Sequence, residues 1–167
     1  MYVLGIETSC DETAASVVKD GKIILSNVIT SSLRVHKKYG GIVPEVAFRM
    51  QLETITEVVD CAIKEAGLKL KNINLVSVTT GPGLAGSLLV GISFAKAIHL
   101  SLGVTLLGVN HLYSHIYASF FNKGRPQLPF VALIVSGGHT SLFYAEDFDR
   151  IKILGATCDD ACGEAFD

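Results

Sequence analysis

Charge is scarce in this chain. Charged residues make up 18% of it and hydrophobic residues 49%, a balance that excludes an intrinsically disordered polymer. Neither sign is in large excess: 14 basic against 16 acidic side chains leave a formal net charge of -2, so the overall field does not draw nucleic acid. The basic residues that cluster, Arg34, His36, Lys37 and Lys38, with Lys69 and Lys71 further on, read as solvated loop side chains. Cysteine is sparse too. The thiols at 10, 61, 158 and 162 form no C-x-x-C pair and follow no secretion signal, so free thiols in a reducing compartment are expected. Met1 leads straight into an apolar run without a basic leader or cleavage site. No uninterrupted apolar run reaches the ~18 residues of a membrane span. The longest approach, Leu84 to Leu102, is broken by Gly86, Ser87, Gly91, Ser93, Lys96 and His99. A cytoplasmic protein with no membrane partner is the expectation.

What is present is a regular alternation of apolar runs and turn signals. Residues 2–7 (YVLGIE), 13–19 (TAASVVK) and 22–30 (KIILSNVIT) predict three consecutive antiparallel strands, the last two joined by the tight-turn dipeptide Asp20-Gly21. Residues 31–43 read as a loop containing Gly40-Gly41. Pro44 stands at a helix start, and Glu45 suits the positive end of its dipole. Apolar positions from 46 to 66 keep the helical period, and Gly67 ends it. A strand at 73–79, a helix at 87–102 stopped by Gly103, a strand at 104–109 and a helix at 110–121 capped by Asn110 follow. The linker-like stretch NKGRPQLP places a boundary that gives domains 1–124 and 125–167.

Beyond that boundary the opening repeats, with strands at 130–135, 139–145 and 151–155 and a helix beginning at 159–167. VLGIE-TSCDE-TAASVV and VALIV-SGGH-TSLFYA each run through an apolar strand, a small polar turn and a Thr-led strand. The second copy stops in its first helix, so the chain reads as one lobe plus the truncated start of another. The fold class that follows is α/β, with mixed sheets flanked by helices. By analogy it is the actin-like, ribonuclease H-like architecture that sugar kinases share.

In that architecture the first hairpin turn of each lobe grips nucleotide phosphates through backbone N–H groups and small hydroxyl residues. Ser136-Gly137-Gly138 suits this role. Thr8-Ser9 with Asp11-Glu12 suits it less directly, because two acids repel phosphate unless a cation intervenes. Asp11 and Glu12 are candidate catalytic acids, and Ser9 is a weaker substrate contact. Either turn alone is also an ordinary β-turn, but their recurrence at matching positions favours binding. Gly81-Pro82-Gly83, leading into a helix whose first turn offers Gly86 and Ser87, is either an anion site at a helix N-terminus or a tightly packed turn.

His111 and His115 stand at i, i+4, which puts both imidazoles on one helical face within reach of one metal ion. The same spacing occurs in ordinary surface helices. Leu112 occupies the place where an H-E-x-x-H protease carries its general base, which argues against that chemistry. Two histidines under-coordinate a metal, so a carboxylate must come from elsewhere. Asp159, Asp160, Glu164 and Asp167 are either dipole-favoured acids at a helix start or acceptors for ribose hydroxyls. Cys158 and Cys162 read as free thiols.

Taken together, GIETSCDETAAS, GGIVPEVAFR, TTGPGLAGSLLVG, NHLYSHI, PFVALIVSGGHT and DDACGEAFD resemble the tRNA N6-adenosine threonylcarbamoyltransferase family (TsaD, formerly Gcp or O-sialoglycoprotein endopeptidase) from the first strand to the last residue. Family chains are about twice as long, so the resemblance is to their N-terminal half. It implies transfer of threonylcarbamoyl from threonylcarbamoyl-adenylate to N6 of adenosine 37 in tRNAs that read codons starting with A. It implies one divalent metal, iron or zinc, held by His111, His115 and an Asp of the other half. It places contacts to threonylcarbamoyl-adenylate or ATP at Ile134, Val135, Ser136, Gly137, Gly138 and Asp167. The implied partners are tRNA, a TsaB-like paralogue and a TsaE-like ATPase. A homodimer through the helices at 44–66 and 87–102 is a further expectation, since the second is apolar nearly all round. Tyr113-Ser114 departs from the Glu-Gly of many members, and Cys158 and Cys162 occupy sites that are often apolar or Ala; neither change touches an implied ligand. The alternatives are a metalloendopeptidase, the older family label, and a non-catalytic paralogue, which would be expected to lack the histidine pair.

Overall fold

The first hairpins form where the alternation is cleanest. In the computed structural model, which describes residues 1–121 and 126–166, strands β1 (Tyr2–Glu7), β2 (Glu12–Lys19) and β3 (Ile23–Ser31) pair antiparallel in sequence order. Asp20 and Gly21 both take positive φ, 53° and 63°, the geometry that matches a two-residue turn to the twist of its strands. A short helix α1 (Leu33–His36) and a 3-10 turn (Lys37–Tyr39) follow where a loop was expected. His36 is not a solvated member of a basic run. It is 1% exposed, and its Nδ1 accepts the N–H of Val43, which fastens the segment ahead of the next helix.

Helix α2 (Pro44–Glu65) starts with its proline in the first turn, and it ends as the glycine signal requires. Gly67 adopts φ 69°, its N–H bonds Lys64 O, and Leu68 N–H bonds Ile63 O, a Schellman closure that satisfies the last carbonyls. Strand β4 (Leu75–Gly81), helix α3 (Ala85–Leu102) and strand β5 (Thr105–Asn110) complete a five-stranded sheet of order β3-β2-β1-β4-β5, parallel from β1 to β5. Parallel neighbours need long crossovers, and α2 and α3 supply them. Both helices and one sheet face build one core: Leu4, Ile6, Val17, Val76 and Val78 meet Ile55, Val58 and Ile63 of α2 and Val90, Ala95 and Ile98 of α3. By length and composition α3 could cross a membrane, which the count from sequence missed by stopping at its polar residues. It packs on α2 and on β1, β4 and β5 through Val90, Ala95 and Ile98, while 28% of it is buried and Leu89 and Leu100 stay exposed.

A second compact unit runs from Leu112 to Asp167, the first being Met1–His111. Its sheet, β6 (Phe130–Val135), β7 (Thr140–Asp147) and β8 (Arg150–Ala156), is antiparallel in sequence order, the same opening as β1 to β3. One face packs Ile134 and Phe143 against Ile116 of helix α4 (His111–Ala118), with Leu112, Tyr113 and Phe120 around them, so α4 groups with this sheet. The other face leaves Val131, Leu133 and Val135 of β6 and Leu142 of β7 exposed. Helix α5 (Cys162–Phe166) closes the unit. The linker-like NKGRPQLP stretch falls partly on residues 122–125, outside the described residues.

Candidate functional site

The turn between β1 and β2 is held from below by the helices. Cys10 O accepts Gln51 Nε2 at 2.9 Å and Ser87 Oγ at 3.3 Å, and Glu12 O accepts the same Gln51 amide at 3.0 Å. Asp11 O accepts both the N–H and the hydroxyl of Ser32. Three successive carbonyls are thus fixed by α2, α3 and the chain entering α1. Asp11 is half-buried and Glu12 exposed, so both carboxylates stand at the rim of a turn whose backbone is immobilised.

The glycines of α3 and of the turn before it exist for this packing. A Cβ on Gly83 would lie 2.5 Å from Ser9 O, and one on Gly91 would lie 2.4 Å from Thr8 Oγ1. Thr8 is buried and donates its hydroxyl to Ser87 O at 2.7 Å, while Leu84 N–H donates to Ser9 O at 2.7 Å. Of the two readings of Gly81-Pro82-Gly83, the structure therefore shows close packing. The first N–H of the helix entry is spent on Ser9, and Ser87 is fully buried.

A polar cluster at the end of β1 was not visible in the sequence. Glu7 accepts the N–H of Ser9 and the hydroxyl of Thr79, and its Oε2 lies 3.2 Å from His111 Nδ1. Ser9 Oγ lies 3.2 Å from the same nitrogen. Burial works to raise the Glu7 carboxyl, but the hydrogen bonds from His111, Ser9 and Thr79 outweigh it and hold it at about 2, so Glu7 is ionised at neutral pH. Burial and the neighbouring Asp11 push the Cys10 thiol up to about 11, which leaves it protonated and unreactive. The only sequence signal for the cluster was an acid closing an apolar strand.

In the second unit the turn after β6 is tied to itself and to α5. Ser136 N–H donates to His139 O at 2.8 Å, and His139 N–H donates to Ser136 Oγ at 3.1 Å. Gly163 N–H donates to Ser136 O at 3.3 Å, and a Cβ on Gly163 would meet Gly137 Cα and Ser136 O at 2.8 Å. Gly137 and Gly138 differ from the glycines of α3. Both are exposed, neither has positive φ, and a Cβ on either would meet nothing within 4 Å. Of the other residues singled out, Ile134 points into the core and Val135 is exposed. Asp159, Asp160 and Glu164 are all exposed at or just before α5, and Asp167 lies outside the described residues.

His111 and His115 both fall on α4, one turn apart as the spacing required. His111 is half-buried against Glu7 and Ser9; His115 is exposed and lines a recess of about 450 Å³ with Ile116, Ser119 and Phe130. Imidazoles at i, i+4, one of them backed by a carboxylate, suit a divalent transition metal. Among the described residues no group of three or more His, Cys, Asp and Glu is gathered for one ion, so the pair fits as part of a ligand set.

Comparison with known proteins places these features. The profile of the family described as "TsaD: tRNA N6-adenosine threonylcarbamoyltransferase" matches residues 23–167. A tRNA N6-adenosine threonylcarbamoyltransferase of Geotalea uraniireducens is 57% identical over all 167 residues, which cover 48% of its length. One from Caldicellulosiruptor saccharolyticus is 52% identical, with 50% of its length covered. The chain thus spans about half the length of the relatives it matches. Among solved structures, YeaZ from Pseudomonas aeruginosa superimposes with a TM-score of 0.61 at 15% identity, over 92% of this chain and 64% of that one. A ROK hexokinase from Thermus thermophilus does so with a TM-score of 0.56 at 18% identity, over 92% and 48%. These neighbours share the actin-like fold, and the sequence relationship is the more specific finding: the chain belongs to the tRNA N6-adenosine threonylcarbamoyltransferase family.

Proposed function

We propose that this chain forms the nucleotide-facing part of an enzyme that transfers threonylcarbamoyl from threonylcarbamoyl-adenylate to N6 of adenosine 37 in tRNAs reading codons that start with A. The observation that carries the reading is the turn Ser136-Gly137-Gly138. Two adjacent glycines stand exposed there without a packing or conformational need, which is what a site for close approach of a phosphate requires. Family membership favours transfer over a metalloendopeptidase or a non-catalytic paralogue.

In the reaction the N6 lone pair attacks the carbamoyl carbonyl, the bond from that carbon to the adenylate oxygen breaks, and AMP leaves with the electron pair. The N–H groups of Gly137 and Gly138 hold the phosphate, Ser136 shapes the turn, and Ile134, Val135 and Asp167 complete the nucleotide contacts. Asp11 and Glu12, on the first turn, are the candidates to take the proton from N6. Ser9 serves the site through His111. His111 and His115 hold a divalent metal, Fe(II) or Zn(II), with a further ligand from the rest of the protein; when bound it supplies Lewis-acid polarisation of the donor. No covalent enzyme intermediate is needed, so Ser136 need not act as a nucleophile.

The lobe boundary at 124, a cytoplasmic location, and partnership with tRNA, a TsaB-like paralogue and a TsaE-like ATPase belong to the same proposal. So does self-association through α2 and α3, whose outward faces expose Leu52, Leu89 and Leu100. The test is a threonylcarbamoyl-transfer assay on the full-length protein. Gly137→Val and Gly138→Val should abolish transfer or raise the donor KM steeply while leaving the circular dichroism spectrum intact. Unchanged kinetics in both would remove the turn from the site.

A further inference from the structure

Glu7 has no part in the proposed function, yet three elements converge on its carboxylate. It closes β1, where it is paired with Ala14 of β2. Oε1 takes the backbone N–H of Ser9, and Oε2 takes the hydroxyl of Thr79 from β4. Ser9 is itself pinned by Leu84 N–H, and Gly83 is bare so that this approach is possible. The carboxylate is therefore a fixed acceptor, and His111 Nδ1 lies 3.2 Å from Oε2.

The proton in that contact has one place to sit. Both oxygens of Glu7 already act as acceptors, Oε1 of the Ser9 N–H and Oε2 of the Thr79 hydroxyl, so a hydrogen bond across the 3.2 Å contact takes its hydrogen from Nδ1. Ser9 Oγ, at 3.2 Å from the same nitrogen, offers a second acceptor to that hydrogen. Ring geometry then puts the other nitrogen, Nε2, on the side of the imidazole away from Glu7, and in the neutral ring that nitrogen carries the lone pair. We infer that Glu7 is a positioning residue: it holds His111 as the Nδ1–H tautomer and aims Nε2 as the metal-binding atom. A carboxylate behind a ligating histidine fixes ring rotation and strengthens the donor nitrogen, and loss of such a partner typically weakens metal binding roughly 10- to 100-fold. The metal half of this inference rests on the proposed function; the tautomer half does not.

The test separates the two. Long-range 15N–1H correlation spectra of the chain labelled in histidine are recorded without metal at pH about 8.5, above the ordinary imidazole range. The His111 signals are assigned by their loss in His111→Ala. The expected result is a protonated Nδ1 and an unprotonated Nε2 in the wild type, shifting toward the Nε2–H form in Glu7→Gln. Zn2+ alone, titrated calorimetrically into the same proteins, should bind roughly 10- to 100-fold more weakly to Glu7→Gln. An Nε2–H ring in the wild type overturns the inference, and that measurement needs neither a variant nor a metal. Zn2+ affinity unchanged in Glu7→Gln, with the tautomer moved, overturns the positioning role toward the metal. Zn2+ affinity unchanged in His111→Ala overturns the metal assignment itself, and Glu7's hold on the ring is then judged by the tautomer alone.

Discussion

Replacing Gly91 by alanine tests how the first turn is seated on α3. Alanine is ordinarily favoured over glycine in a helix by about 1 kcal/mol, so on propensity alone Gly91→Ala would stabilise the protein. The structure predicts the reverse. The new methyl would stand 2.4 Å from Thr8 Oγ1, and Thr8 Cβ and Cγ2 lie only 3.5 Å away, so the side chain cannot rotate to a vacancy without bringing its own methyl into the gap. Overpacking of this kind costs about 1–3 kcal/mol. If the hydroxyl yields, its buried 2.7 Å bond to Ser87 O is lost, at a further ~1–3 kcal/mol. Set against the propensity gain, the net loss is about 1–5 kcal/mol. The assay is urea denaturation of wild type, Gly91→Ala, Thr8→Ala and the double variant as a thermodynamic cycle. Thr8→Ala alone should cost about 1 kcal/mol, since Ser87 O keeps its helical partner. In that background Gly91→Ala should be neutral or stabilising. A Gly91→Ala loss below about 0.5 kcal/mol, or one of equal size with and without Thr8, would refute the reasoning.

Other expectations follow from the site and from its charged groups. The Glu7 carboxyl sits at about 2 in the folded chain, below its ordinary 4.5. As pH falls the unfolded chain takes up a proton that the folded one refuses, so this stability is present above pH 4.5 and is lost between 4.5 and about 2; its ceiling is about 3 kcal/mol. Denaturation curves at pH 5 and pH 3 should differ more for wild type than for Glu7→Gln, and equal differences would contradict the assignment. In the full-length protein, His111→Ala or His115→Ala should strip the bound metal and most transfer activity without unfolding; metal content by mass spectrometry at the wild-type level in the double variant would count against the pair. If α2 and α3 carry a self-association surface, Leu52→Glu with Leu89→Glu should lower the sedimentation coefficient at high concentration, whereas a wild-type chain that stays monomeric there would dismiss it.

Most of the element order was legible because each boundary carries a residue with a local reason to be there. Asp20-Gly21, Pro44, Gly67 and Gly103 all act where their φ angles or missing N–H groups are needed, so they could be read without knowing what the chain touches later. The repeat was legible for a related reason: two stretches of the same pattern constrain each other. What could not be read depended on partners distant in sequence. Gly83 is open to two readings, anion site or packed turn, and Gly91 reads only as a break in an apolar run, until Ser9 and Thr8 are seen lying against them. His36 looked like part of a basic loop because its partner, the N–H of Val43, has no side-chain signature. Glu7 looked like an ordinary strand end, and its meaning comes from Thr79 and His111, which β4 and α4 bring back from far along the chain. The i, i+4 histidine pair lay between these cases, its shared helix readable from spacing and the carboxylate behind one imidazole not.

The strand β6 has a consequence beyond the site. FVALIV is six residues with no charge, proline or glycine, and it ends the order β6-β7-β8 with one apolar face packed and the other open. One ladder of its backbone is paired to β7, and nothing in the described sheet is paired to the other. A strand with these properties is a template for copies of itself, stacking in register with aliphatic side chains interlocked. A single lysine at Leu133, on the open face, would charge the template and suppress fibrillar aggregation while leaving the packed face unchanged.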